Sequence, residues 1–458
     1  MIENDAFKLL LINLFHLNPD DIANILCTTF NKMMVLLVTL TDKHQACPYC
    51  GFTAPKIKEY VTKEITHSAL TTQKCIIKYR ARRYKCSCCG KTYYEFNPFV
   101  FKSQKISILT VHNILKDLKD FNETFTSVAR RYHVSPTSVS TIFDNHVDIG
   151  RNPLPEIINF DEVYAFKSEK SKYVCVILDF KKQIPVDILP NRKKEYLLNY
   201  FQKIPLEERK KVKYACSDMY EVYRDVVHKV FPESKHLLDY FHLSQDFHRK
   251  MNEVRIKVMK GYKDNKASDE YYLLKKFNWL LFKNPEDEDK YGRLFDVERE
   301  RKYNSHFKSY MNYYDLRKKI LEINNDLTIC YSLKLELVDF YSKSTIDNAK
   351  VNLENLIRSC IDTNIDEMIA FSNNLINWKQ EIINSFTIVG TEYKVEADKG
   401  QVVVCNKKVN NAIIENRNKI IKCIKNNANG YTNWPRFRNR VMYVLDPNAT
   451  FSLEPREK

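Results

Sequence analysis

The feature that most constrains how this chain folds is a matched pair of cysteine knuckles. Cys47-Pro-Tyr-Cys50-Gly51 and Cys86-Ser-Cys88-Cys89-Gly90 share one form, C-x-x-C followed by glycine. Two thiolates on such a tight turn bind one tetrahedral metal, and two knuckles complete four sulfur ligands. The glycine lets backbone amides turn toward the sulfurs. Between the knuckles, Gln73 to Lys85 alternates as strands do. This pattern predicts a β-rich module holding a structural Zn²⁺ through Cys47, Cys50, Cys86 and Cys89. Cys88 is a spare sulfur that could substitute for Cys86 or Cys89, and Cys75 reads as a packed strand residue. The plainer alternative is a set of buried free thiols.

Thirteen cysteines would suit a disulfide framework only in an oxidising compartment. The N-terminal segment Met1–Ala6 is acidic and lacks the basic start of a secretory leader. The longest apolar run, Met33–Leu40, is too short to span a bilayer and reads as a strand. These features predict a cytoplasmic protein without a membrane partner. Lys and Arg number 73 against 57 acidic residues, a net charge of +16, which favours a polyanionic partner such as nucleic acid. At 458 residues the chain is long enough for two to four domains.

Residues 102–150 read as helices. Thr126 to Ile142 fits a helix-turn-helix, with Ala129 small where two helices meet, Val134 plugging the turn, Ser135 as cap and Pro136 at the first helical position. Val139 and Ile142 then face the core. Thr137, Ser138 and Thr141 would face a DNA groove, with Arg130 and Arg131 near phosphates. An ordinary helical hairpin is the competing reading.

Residues 156–245 alternate strand and helix. Apolar runs end at Asp161-Glu162, Asp179, Leu189, Asp218 and Asp239, with helices predicted over Lys193–Lys203 and Met219–Val230. Three strands, a helix, a strand, a helix and a strand is the order of the ribonuclease-H-like fold, which sets the first and fourth strands side by side. Asp161 and Asp218 would then meet at one sheet end. Two carboxylates that close repel unless a divalent cation lies between them, and oxygen ligands suit Mg²⁺ or Mn²⁺. Glu162 should point to the opposite face of its strand. Asp179 and Asp187 read as loop caps or surface charges. The third carboxylate must come from a downstream helix. Glu415 opens such a pattern, with Lys419 and Lys422 following at helical spacing, placed to grip phosphates.

The ordered set of motifs resembles the bacterial insertion-sequence DDE transposases of the ISL-three family. The resemblance covers nearly the whole chain. It rests on the two knuckles, the helix-turn-helix, Phe160-Asp161-Glu162, Ser217-Asp218-Met219 with Tyr223, and Asp239-Tyr-Phe-His242. Trp279 to Asn284, Cys330 to Lys334, Trp378, Asn411 to Lys419, Gly430 to Trp434 and Phe437 to Arg440 complete it. Ala412 and Asn416 stand where the family usually has glycines, and the piece around Gly390–Val404 is longer than usual.

The resemblance implies a multidomain α+β and α/β chain. It implies an N-terminal region with the zinc module (1–100), a helix-turn-helix (101–150), the first part of a ribonuclease-H-like domain (151–250), a mostly helical insertion (251–405) and a returning segment with the catalytic glutamate (406–458). Asp161, Asp218 and Glu415 would form the triad and hold Mg²⁺ or Mn²⁺, with Glu336 and Glu381 as fallbacks for the third position. Asp239 and His242 read equally as neighbours of the active site or as a structural pair. The implied partner is double-stranded DNA, both terminal inverted repeats and target, bound by a homo-oligomer. The implied activity is metal-dependent strand cleavage and transfer. The alternatives are a DNA-binding regulator or decayed transposase without catalysis, and a structure-selective nuclease.

Overall fold

The computed structural model describes residues 2–43, 46–53, 55–70, 72–101, 104–167, 171–395 and 402–456. The chain opens with helix α1 (Ile2–Leu14) and a mixed sheet of β1 (Ile22–Phe30), β2 (Met33–Leu40), β3 (Lys56–Thr66), β4 (Cys75–Lys85) and β5 (Thr92–Tyr94). The sheet order is β1-β2-β4-β3, with β5 also on β4. Asn31 and Lys32 both take positive φ and make the tight turn between β1 and β2. Leu11, Ile12 and Phe15 close the core over Leu36, Ile65, Ile77 and Cys75.

Three helices follow: α2 (Ile108–Asp117), α3 (Phe125–Arg131) and α4 (Pro136–His146). Their boundaries follow from capping. Thr124 and Ser127 form a reciprocal capping box at α3. Ser135 accepts the Ser138 amide at 3.0 Å, with Pro136 in the first turn of α4. Ala129, Val139 and Ile142 are buried between them, as their spacing predicts.

The next sheet is built from β6 (Ile157–Val163), β7 (Val174–Asp179), β8 (Pro185–Leu189), β9 (Tyr214–Ser217) and β10 (Lys235–Leu238), with α5 (Lys194–Gln202), α6 (Leu206–Arg209) and α7 (Glu221–Val230) between strands. Its order is β10-β9-β6-β7-β8. β7 runs antiparallel to β6 and β8, while β6, β9 and β10 are parallel. Ile158, Phe160, Cys175 and Ile177 pack on α5 and α7 through Leu197, Phe201, Tyr223 and Val227.

From β10 the chain leaves through the long α8 (Tyr240–Gly261) into α9 (Asp269–Lys276). Two short hairpins follow, β11 (Glu288–Asp289) with β12 (Gly292–Arg293), and β13 (Lys302–Asn304) with β14 (Ser309–Met311). Then come α10 (Tyr313–Glu322), α11 (Asn325–Lys343), α12 (Ala349–Asp362), α13 (Asp366–Asn377) and α14 (Lys379–Asn384). One apolar cluster, from Leu243 to Phe386, unites these helices. Trp279 and Phe277 pack against it. The chain returns through the hairpin of β15 (Ile388–Val395) and β16 (Val402–Lys408), and Gly400 lies outside the described residues.

Helices α15 (Ala412–Asn427) and α16 (Trp434–Leu445) then cover the second face of the central sheet. Ile414, Ile421, Ile424, Phe437, Val441 and Leu445 pack on Val163, Val174, Val176, Leu178 and Ile188. α15 begins at Ala412 without needing a glycine there. Among the described residues no helix is long and apolar enough to cross a membrane.

The arginines of α16 are spent internally. Arg438 donates to Asp187 of β8 at 2.7 Å and Arg436 pairs with Asp144 of α4. Arg440, fully buried, caps the carbonyls of Asp120 and Glu123 at 2.8 and 2.7 Å. α16 therefore fastens the three-helix unit to the sheet. Asp187, expected as a cap or surface charge, is instead a buried partner of Arg438 and Tyr200.

Phe437 is the centre of this junction, stacked on Phe166 and flanked by Trp434 and Tyr431. Phe437→Ala should cost about 3–5 kcal/mol, as large core aromatics do. The exposed Phe30→Ala should stay within about 0.5 kcal/mol. Thermal melts of the two variants check this contrast.

Candidate active site

The central sheet sets three aspartates in a row. Asn159 of β6 pairs with Cys216 of β9, and Ser217 of β9 pairs with Leu238 of β10. One or two residues further along these parallel strands come Asp161, Asp218 and Asp239, at the same sheet end. Parallel strands deliver this alignment because their carboxyl ends emerge together.

Alternation along β6 decides which side chains share a face. Phe160 and Ile158 point to α5 and α7, so Asn159 and Asp161 face α15. Glu162 faces the other way, where it binds Arg192 and meets the Tyr223 hydroxyl. Asparagines then fix α15 to β6. Asn159 donates to the Asn410 carbonyl at 2.8 Å and to the Asn411 side chain at 2.7 Å. Asn411 donates to the Phe160 carbonyl at 3.3 Å, and its amide reaches Asp239 at 3.3 Å. One helical turn past Glu415, Asn418 donates to Asp161 Oδ2 at 2.7 Å.

Glu415 lies in the first turn of α15 and forms a group with Asp239 and His242. One ligand atom from each of these three residues lies within 4.8 Å of the others. Glu336 is exposed on α11. Glu381 is buried on α14, with His228 nearby at 3.9 Å. Among the described residues neither joins a group of metal-ligating side chains.

Burial and mutual repulsion raise the three aspartates above their ordinary range. Asp161 is pushed from 3.8 up to about 7, first by burial and then by Asp218 and Glu162, against the pull of the Glu162 amide. Asp218 rises to about 6, through burial and then the Glu162 charge. Asp239 also rises, chiefly through burial, with Glu415 adding repulsion. Buried Asp218 Oδ1, Asp239 Oδ2 and His242 Nε2 have no hydrogen-bond partner. A site of concentrated, under-satisfied carboxylates is one a cation would complete.

The N-terminal thiols form a second group. Cys47 Sγ lies 3.7 Å from Cys89 Sγ, and Cys50 Sγ 3.5 Å from Cys86 Sγ. Four sulfurs about 2.3 Å from one tetrahedral ion stand about 3.8 Å apart. The two knuckles are built alike. Gly51 and Gly90 take positive φ, and their amides bond to the carbonyls of Cys47 and Cys86 at 2.9 and 3.0 Å. The Cys86 thiol is held down to about 6, first by the Cys89 amide pointing at its sulfur. Cys88 is exposed and outside the group, and Cys75 is buried in β4.

In the three-helix unit, Arg130, Thr137 and Thr141 are exposed and Ser138 is half-buried. Arg131 instead binds Asp117 and Glu123, bracing α3 against its neighbours. On α15, Lys419 and Lys422 are exposed and follow Glu415 at helical spacing. Sequence reading passed over Asn159 and Asn418, which hold the helix to the strand. The available signal was the seven-residue spacing of Asn411 and Asn418, which puts both on one helix face.

A central sheet with aspartates along one end, met by a carboxylate on a late helix, defines a mixed α/β protein with an acidic centre that could hold a metal ion. Residues 158–397, just over half of the 458-residue chain, match the family DDE_Tnp_ISL3, described as "Transposase", and the chain belongs to that family. It is also similar to the transposase for insertion sequence element IS1001 of Bordetella parapertussis. The identity is 19% over 411 residues, covering 89% of this chain and 91% of that protein.

The raised carboxyls carry a pH signature. The folded chain keeps protons on Asp161 and Asp218 that the unfolded chain releases near 3.8. Their contribution to stability is therefore full below about pH 4 and lost as pH rises through about 6 to 7. With no divalent cation added, stability should fall across that window. Asp161→Asn should flatten the fall, and denaturant titrations at each pH measure it.

Proposed function

We propose that this transposase binds the terminal inverted repeats of an insertion sequence and catalyses metal-dependent DNA cleavage and strand transfer. In this reading Asp161, Asp218 and Glu415 are the catalytic carboxylates, on a ribonuclease-H-like sheet. The observation that carries it is the alignment of Asp161 and Asp218 on neighbouring parallel strands, with Glu415 one turn from the asparagine that holds Asp161. The strand order, with the second strand antiparallel and the fourth beside the first, supports the same reading.

The orphaned oxygen of Asp218 and the raised carboxyls fit Mg²⁺ or Mn²⁺. Bound there, such a cation supplies Lewis acidity toward the phosphate and lowers the pKa of an attacking water or 3′-hydroxyl. The chain's own residues do the rest. Asn418 orients Asp161, Asn411 anchors the start of α15, and Lys419 and Lys422 lie where DNA phosphates would pass. Arg130, Thr137, Ser138 and Thr141 form the DNA-facing surface of the helix-turn-helix, and Arg131 braces it from within. The zinc module spans 1–100 and the helix-turn-helix 101–150. Residues 151–250 and 406–458 form the catalytic domain around a helical insertion at 251–405. The chain acts as a homo-oligomer on paired DNA ends and target, in the cytoplasm of a bacterium.

An excision and integration assay in cells tests this. The gene is carried with its native flanking DNA, as wild type and as Asp161→Asn. Movement that Asp161→Asn abolishes, with end binding retained, is the expected result. Movement that survives Asp161→Asn overturns the triad. A well-expressed wild type that moves nothing points to a decayed element.

We also assign Zn²⁺ to Cys47, Cys50, Cys86 and Cys89. Metal analysis should find one zinc per chain in the wild type and in Cys88→Ser, and loss of it in Cys86→Ser. The reverse pattern would replace Cys86 with Cys88 in the ligand set.

A further inference from the structure

We propose that Asp239, His242 and Glu415 hold a divalent cation of their own, with an imidazole nitrogen among its ligands, beside the Asp161–Asp218 pair. The inference rests on reading this face as a divalent-metal centre and names which groups bind and which metal they favour.

The donors converge from two parts of the chain, Asp239 and His242 at the start of one helix and Glu415 from another. Asp239 ends the β10 segment, His242 lies in the first turn of α8, and Glu415 lies in the first turn of α15. Their ligand atoms all lie within 4.8 Å of one another. Ligands about 2.1 Å from a common ion stand at most about 4.2 Å apart, so a slight closure gathers all three. Asp239 Oδ2 and His242 Nε2 stand 3.9 Å apart, too far to hydrogen-bond and suited to share an ion.

A second, independent observation is the state of those atoms. Asp239 is only 3% exposed, and its Oδ2 has no hydrogen-bond partner; neither has buried His242 Nε2. Buried polar atoms are ordinarily satisfied, and a pair left open toward one point needs a shared partner. The other Asp239 oxygen accepts the Asn411 amide at 3.3 Å, which orients the carboxylate. A proton shared between Asp239 and His242 would need a closer approach than 3.9 Å.

The donor set also selects the ion. Carboxylate and water ligands alone suit Mg²⁺, whereas an imidazole shifts preference toward Mn²⁺ and later transition metals. The site would therefore prefer Mn²⁺ to Mg²⁺. It would also tie α8, where the chain leaves the sheet, to α15, where it returns.

Electron spin-echo spectroscopy of Mn²⁺ bound to the full-length, untagged chain tests this. The bound ion should show coupling to nitrogen-14. That coupling should vanish in His242→Gln and survive in Asp161→Asn. Mn²⁺ affinity should fall in His242→Gln by at least the roughly 10–100-fold that loss of a ligand's supporting partner costs. Labelling the wild-type chain with nitrogen-15 histidine should convert the coupling, a readout that needs no substitution. Bound Mn²⁺ without nitrogen coupling, coupling that survives His242→Gln, or no Mn²⁺ bound would each overturn the proposal. Strand transfer that depends on Asp161 and Glu415 without nitrogen coupling would leave the transposase reading intact and remove only this site. Nitrogen coupling in a chain that transfers no strand would do the reverse.

Discussion

The active face depends on how α15 is pinned to β6. Glu415 lies more than 170 residues from Asp239 in sequence, and chain entropy alone would leave it far from the sheet. Two kinds of contact overcome that. Ile414, Ile421 and Ile424 bury one stripe of the helix on the sheet. Asn159, Asn411 and Asn418 form a polar seam that sets its rotation and depth. Apolar burial is non-directional and supplies most of the adhesion. The amide hydrogen bonds are directional, and they aim Glu415 at the strand ends.

That arrangement gives the helices between β10 and β15 a defined relation to the acidic centre. The chain leaves the sheet immediately after Asp239, through α8, and returns through the β15–β16 hairpin into α15. Those helices share an apolar core that continues into Leu238 of β10, and both attachments of the segment end beside the acidic centre. Its exit carries Asp239 and His242, and its return carries Glu415. α16 extends the same logic to the three-helix unit, because Arg436 and Arg440 bind that unit while Arg438 binds β8. A displacement of the three-helix unit would therefore load the helix packed against α15.

Much of this was legible in the sequence because it is local. The knuckles repeat one short motif, and φ > 0 at Gly51 and Gly90 is what that motif asks of its glycines. The strands that lead to Asp161, Asp218 and Asp239 announce themselves as apolar runs closed by a charge, although β6 continues through Asp161 to Val163. The Ser135-Pro136 start of α4 is a capping signal. What stayed hidden depends on distant partners. β1 was passed over because it is an edge strand with only Ile22 and Ile25 buried, so it shows no alternation. Arg131 looked available for phosphate, but Asp117 and Glu123 lie on other segments that close around it. Asp187 looked like a surface charge for the same reason, since Arg438 reaches it from 251 residues away. The convergence of Glu415 on Asp239 and His242 is a property of packing, which no periodicity encodes.

The central claim is that the third carboxylate of this centre is Glu415, delivered by α15. The most direct measurement is cleavage of a labelled DNA fragment carrying the element's end by purified Glu415→Gln, with Glu381→Gln alongside. The account predicts that Glu415→Gln binds the fragment and does not cut it, while Glu381→Gln cuts it. Cleavage retained by Glu415→Gln and lost in Glu381→Gln would contradict it.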